Sequence, residues 1–196
     1  MSTLVVSLFG KLRLRVKGGT PVEIDSFKAQ ELFCYLLLFR DRPHTRERLA
    51  DTLWASSSPS QSKQYLRQAL WQLRGIVDRV SQPDHPILLV ESEWIQVNAN
   101  AALWLDVAEF EQAYNLARGT RGYQLDARQA EALRRAIPLY KGDLMENWYQ
   151  DWCIIEQERF QNMYLDMLQK LMALCERSQE YEEGLHYATL ILRSDR

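Results

Sequence analysis

Two patterns of apolar residues share this chain. Leu12, Leu14 and Val16 alternate with Arg13 and Arg15, the period of a half-buried strand. The run 4–9 (LVVSLF) before them reads as a partner strand, with Gly10–Lys11 as the turn. Gly18–Gly19 marks a second turn before Pro21–Ile24, so a small antiparallel sheet is predicted. Ile87–Val90 and Trp94–Val97 flank Glu91-Ser92-Glu93 and read as a hairpin.

Elsewhere the apolar residues recur at helical spacing. Phe27, Leu32, Phe33, Leu36 and Leu37 predict a helix from Ser26 to Phe39, stopped by Asp41-Arg42-Pro43. Thr45 is an N-cap for a short helix over 46–54, with Leu49, Ala50 and Leu53 as its stripe. The run 55–60 (ASSSPS) reads as a loop, and a long helix is expected over 61–80, closed by Pro83 and Pro86. Beyond Asn98, helices are predicted over 106–118, 126–140 and 149–177, with a last one from near Gln179. No strand is predicted past residue 100. The expected class is mainly α (α+β), with one domain over 1–99 and an all-helical one over 100–196.

The helix 61–80 is the informative segment. On a wheel, Leu66, Ala69, Leu70, Leu73, Val77 and Val80 share one face. The opposite face collects Gln61, Gln64, Gln68, Trp71, Gln72 and Gly75, flanked by Lys63, Arg67 and Arg74. Asp78 is the only acid along it. A solvated face usually mixes Glu with Lys, whereas Gln and Arg suit the edges of adenine and guanine in a major groove. A short helix, a Ser/Pro loop and a long polar-faced helix follow helix-turn-helix order, and the hairpin after them could serve as a wing.

The net charge of −2 runs against nucleic-acid binding until it is divided. Residues 1–100 hold thirteen basic and ten acidic side chains; residues 101–196 hold eleven and sixteen. A basic half and an acidic half suit a nucleic-acid-facing part and a solvated or partner-facing part. Cys34, Cys153 and Cys175 are odd in number, widely spaced and set among apolar residues, so buried thiols are expected rather than disulfides or zinc. His44, His85 and His186 are isolated, and no GxSxG, HExxH, CxxC or GxxxxGK[ST] pattern occurs. The expectation is a protein with no catalytic residues, cofactor or metal. No apolar run is long enough for a membrane span and no signal peptide is read at the N-terminus, so a cytoplasmic setting is expected.

The residues also resemble a family. Leu8-Phe9-Gly10 with Leu12 and Leu14 is similar to the opening of the antibiotic-regulatory (SARP-type) activators. Lys28 to Leu38 resembles their first helix, Arg48-Leu49-Ala50-Asp51-Thr52-Leu53-Trp54 their second, and Leu66 to Arg74 their recognition helix. Leu105-Asp106-Val107 with Phe110, Leu139-Tyr140-Lys141-Gly142-Asp143-Leu144, and the helix from Trp152 with Glu158-Arg159 resemble the bacterial transcriptional activator domain. The resemblance implies an OmpR/PhoB-type winged helix over 1–99 and a domain of helix pairs like tetratricopeptide repeats over 100–196. Because the chain stops at Arg193-Ser194-Asp195-Arg196, after one helix of an expected pair, that domain reads as truncated. Gln64, Arg67, Gln68 and Trp71 would read bases, while Arg46, Lys63 and Arg74 would hold phosphate. The loop Ser56, Ser57, Ser58, Pro59 and Ser60 would face RNA polymerase. The implied partners are double-stranded DNA with promoter direct repeats, RNA polymerase, and a second copy on DNA.

Two departures keep a second reading open. Relatives carry a Gly-Tyr and basic residues near the wing tip, where this chain has Glu91-Ser92-Glu93-Trp94. Gln72 stands where many relatives have Arg. The alternative is a protein-interaction scaffold whose winged helix contacts protein rather than DNA.

Overall fold

The computed structural model describes residues 3–82 and 84–194. Pro83, expected to help close the long helix, and Asp195-Arg196 lie outside the described residues. The chain forms two compact units. The first contains the start of the chain to Val6 together with Arg13–Trp104, and the second contains Ser7–Leu12 and residues from Leu105 onward.

In the first unit, β1 (Leu4–Ser7), β2 (Arg13–Val16) and β3 (Pro21–Val22) join β7 (Leu103–Leu105) in a sheet of order β3-β2-β1-β7. β2 and β3 are antiparallel, with Leu14 opposite Val22. The strand β7 corrects the expectation of none beyond residue 100. Its sequence, Leu-Trp-Leu, is too short to show a period, and it becomes a strand by pairing beside β1 rather than by local pattern.

Three helices follow the predicted order: α1 (Phe27–Leu38), α2 (Arg46–Leu53) and α3 (Pro59–Val80). Ser26 caps α1 by accepting from the Ala29 amide, and Thr45 caps α2 by accepting from the Arg48 amide. Lys28 links α1 to the end of α2. Its ammonium donates to the Leu53 carbonyl at 2.8 Å, lies 2.7 Å from buried Glu31 and stands over the Trp54 ring. The core between the helices is formed by Leu32, Phe33 and Leu36 of α1, Leu49 of α2, and Leu66, Leu73 and Val77 of α3.

The hairpin β5 (Leu88–Val90) and β6 (Trp94–Val97) gains a third strand the sequence did not announce, β4 (His44–Thr45), which pairs with β6. His44 is buried, with Nε2 2.8 Å from the Phe39 carbonyl oxygen. Burial pushes its imidazole below the ordinary His range, and Arg42 and Arg48 push the same way against the Phe39 hydrogen bond.

The second unit consists of α4 (Asp106–Leu116), α5 (Ala127–Ala136), α6 (Asp151–Ser178) and α7 (Tyr181–Ser194), with 3-10 turns at Gly122–Gln124 and Ile137–Leu139. The helix expected to run to Tyr140 ends at Ala136, and Pro138 sits in the tighter turn that follows. Leu8, Phe9 and Gly10 belong to this core. Phe9 meets Phe110 and Tyr140 at 5.0 Å and Phe160 at 5.4 Å between ring centroids. The buried Asp106 carboxylate accepts from the Leu8, Phe9 and Val107 amides. Burial pushes that carboxyl above the ordinary Asp range, and the three amides pull it down. On α5, Arg134 bonds Glu183 and Glu180 near α7, while on α6 Arg159 bonds Glu156 and Glu111. All three cysteines are buried. Among the described residues no helix is long and apolar enough to cross a membrane.

Candidate nucleic-acid interface

The helix α3 begins two residues earlier than its periodicity suggested. Pro59 occupies its first turn, where its missing N–H costs nothing and its fixed φ suits a helix. Ser58 precedes it, and the Ser58 amide and hydroxyl both donate to Gln61 Oε1, at 3.3 and 2.9 Å. Of the five loop residues expected to face RNA polymerase, Ser56, Ser57 and Ser58 lie before the helix, whereas Pro59 and Ser60 are helical. Serine-rich composition resembles a loop until the proline is recognised as a helix start.

One face of α3 is held by burial of Leu66, Ala69, Leu70, Leu73 and Val77; Val80 is only half-buried. The opposite face is open. Gln64, Arg67, Gln68 and Trp71 are all exposed, Trp71 by 77%. Their spacing of three and four residues puts them on one stripe. From Gln64 to Trp71 the stripe is about 10 Å long at 1.5 Å per residue, close to three base steps of about 3.4 Å. Lys63 and Arg74 are exposed beside it, and Arg67 makes no ion pair among the described residues.

Two of the predicted phosphate-holding cations have acidic neighbours. Lys63 Nζ lies 3.2 Å from Glu47 Oε1 of α2, and Arg74 Nε lies 3.2 Å from Asp78 one turn along. Exposed pairs of this kind are weak, about 0–1 kcal/mol, and exchange readily for another anion. Arg46 is tied to the turn of the β5–β6 hairpin. Its Nε donates to the Glu91 carbonyl at 3.1 Å and its amide to the Glu93 carbonyl at 2.9 Å.

These elements enclose a cleft of about 680 Å³ whose charged lining is Arg46, Lys63 and Arg67 against Glu47 and Glu93. The structure thus gathers three of the predicted contact residues in one concavity, with Gln64 and Gln68 exposed on the same helix. Trp71 lines a second groove of about 510 Å³, with Ile24, Gln72, Ile76 and Arg79. Sequence reasoning missed Glu47 as part of the first cleft. Its only local signal is a place in the first turn of α2, which favours any acid.

Residues 105–195 match the family model of the bacterial transcriptional activator domain. The fold matches a solved structure described as Mycobacterium tuberculosis EmbR in complex with low affinity phosphopeptide, at a TM-score of 0.67 and 19% identity. That match covers 97% of this chain and 51% of the EmbR chain, so the chain spans about half the length of the relative. No curated protein sequence matches it. At that identity the solved structure bears on the fold alone, mainly helical with small sheets, and agrees with the class expected from the sequence.

Proposed function

We propose that the chain is a sequence-specific DNA-binding transcription regulator acting in the cytoplasm, an activator that binds promoter direct repeats through the exposed face of α3. The observation that carries this reading is the stripe Gln64, Arg67, Gln68 and Trp71, exposed on a helix whose opposite face is locked into the core. Gln pairs bidentately with adenine and Arg with guanine, so the stripe has the chemistry to read base edges. Lys63, Arg46 and Arg74 supply phosphate contacts that set position. The bacterial transcriptional activator domain over 105–195 supports a regulatory role. The exposed Ser56 and Ser58, with the first turn of α3, form the surface that would meet RNA polymerase. Two copies would sit on adjacent repeats.

The test is fluorescence anisotropy on random-sequence and candidate direct-repeat duplexes over a salt series. Lys63→Ala/Arg74→Ala should weaken binding on every duplex and flatten the salt dependence. Gln64→Ala/Gln68→Ala should weaken binding on some sequences only. A footprint on one half-site with one protein per duplex would overturn the pairing of copies. The carboxylates of Glu47 and Glu93 favour the second reading, a protein-interaction scaffold. Absence of binding to any duplex at low salt would decide for it.

A further inference from the structure

We infer that Glu47 and Glu93 act as a sequence-independent brake on DNA affinity, an inference that rests on the DNA-binding reading above. Both carboxylates line the same cleft as Arg46, Lys63 and Arg67. A phosphate that reaches Lys63 Nζ arrives beside Glu47, whose Oε1 lies 3.2 Å from that ammonium. The pair is exposed on both sides, so Lys63 exchanges partners easily, but the carboxylate it leaves behind remains against the DNA backbone. The backbone at Glu93 is held by its neighbours. The Arg46 amide donates to the Glu93 carbonyl, Arg46 Nε donates to the Glu91 carbonyl, and the Glu91 amide closes the turn on the Trp94 carbonyl. The backbone of the hairpin turn is therefore held at the start of α2, which keeps the Glu93 side chain beside the cleft.

Phosphate contacts carry no base information, so two carboxylates among them lower affinity alike on every sequence. Of the base-reading stripe, Arg67 reaches this cleft, and it makes no ion pair with either acid among the described residues; Gln64, Gln68 and Trp71 are not in its lining. The consequence is a weak single site. Stable occupancy then depends on two linked binding events on a repeat, where the second is favoured by effective concentration. The brake is thus a physical reason for paired sites.

The experiment measures full-chain wild type, Glu47→Gln, Glu93→Gln, the double variant and the charge-preserving Glu47→Asp by anisotropy across salt. The probes are a random-sequence duplex and the duplex that wild type enriches from a randomised pool. The double variant should bind both duplexes roughly tenfold tighter near 0.1 M salt. Its plot of log affinity against log salt should steepen by about one to two units, since each removed acid acts as roughly one more neutralised phosphate. Glu47→Asp should match wild type. Wild-type binding with no gain in the Gln variants would overturn the brake and leave the DNA-binding reading intact. A gain on the enriched duplex alone would also overturn it, by making the acids base readers. No binding by any form to either duplex at low salt would overturn both readings together.

Discussion

Replacing Phe9 by Ala should destabilise the helical unit, although residue 9 follows the first strand of the sheet. Phe9 is 3% exposed and its ring lies against Phe110, Tyr140 and Phe160. Truncating a buried Phe to Ala costs about 3–5 kcal/mol, from lost transfer energy and the cavity left behind. Three ring contacts at 5.0–5.4 Å, at separations where aromatic pairs add about 0.5–1.5 kcal/mol each, place this site toward the upper end. Against a native stability of about 5–15 kcal/mol, that is a large fraction of the total. The assay is urea unfolding followed by hydrogen exchange, read separately on peptides from α1–α3 and from α4–α6. Protection in α4–α6 should fall by more than about 2 kcal/mol. Tyr149→Ala, at a site 76% exposed in the same unit, should change it by less than about 0.5 kcal/mol. A loss below about 1 kcal/mol for Phe9→Ala, or one confined to α1–α3, would refute the assignment of Leu8–Gly10 to the helical core.

Gly122→Ala should cost about 1–3 kcal/mol or more, because the added methyl would stand 2.6 Å from the Lys170 carbonyl oxygen and 2.8 Å from Ala173 Cβ. An unchanged thermal midpoint would show that α6 gives way freely. His44 makes stability depend on pH with a defined sign. Its folded-state value is depressed, so the unfolded chain binds the proton more readily, and stability should fall as pH drops through the unfolded His value of about 6.5. Urea midpoints from pH 8 to 5 should show that slope in wild type and a reduced one in His44→Gln; equal slopes would refute it. Trp71→Ala should leave stability within about 0.5 kcal/mol, as its ring is mostly in solvent, while lowering affinity on some duplexes. A loss of more than about 1 kcal/mol would mean that the ring packs into the groove beside Ile24 and Ile76.

What the sequence announced, and what it did not, divides by distance along the chain. Helices α1, α2 and α3 were legible because each carries its own stripe, its own cap and its own stop within a few turns. The exposure of the polar face of α3 was legible for the same reason, since spacing alone puts Gln64, Gln68 and Trp71 opposite Leu66 and Leu73. β4 and β7 were not, because two or three residues cannot display a period and are strands only through their neighbours. Pro59 was read as part of a loop because composition was weighed above its role at a helix start. Glu47 escaped because the wheel of α3 contains only α3, whereas the charge of an interface includes what adjacent elements bring to it.

Two motifs far apart along the chain belong together in the fold. Leu8-Phe9-Gly10 opens the chain, and Leu139-Tyr140-Lys141-Gly142-Asp143-Leu144 lies more than a hundred residues later. In the helical unit they are hydrogen-bonded to each other. The Gly10 amide donates to the Asp143 carbonyl, the Met145 amide to the Leu8 carbonyl and the Glu146 amide to the Gly10 carbonyl, at 2.8–2.9 Å. Both glycines suit this arrangement through their backbone, with φ +77° at Gly10 and φ +152° at Gly142, conformations that side chains disfavour. Asp106 completes the site by accepting from Leu8 and Phe9. The opening motif is therefore a segment that supplies contacts to the core of the helical unit. A segment beginning at residue 100 would lack Leu8 and Phe9 and leave the Asp106 carboxylate with only the Val107 amide among its backbone donors.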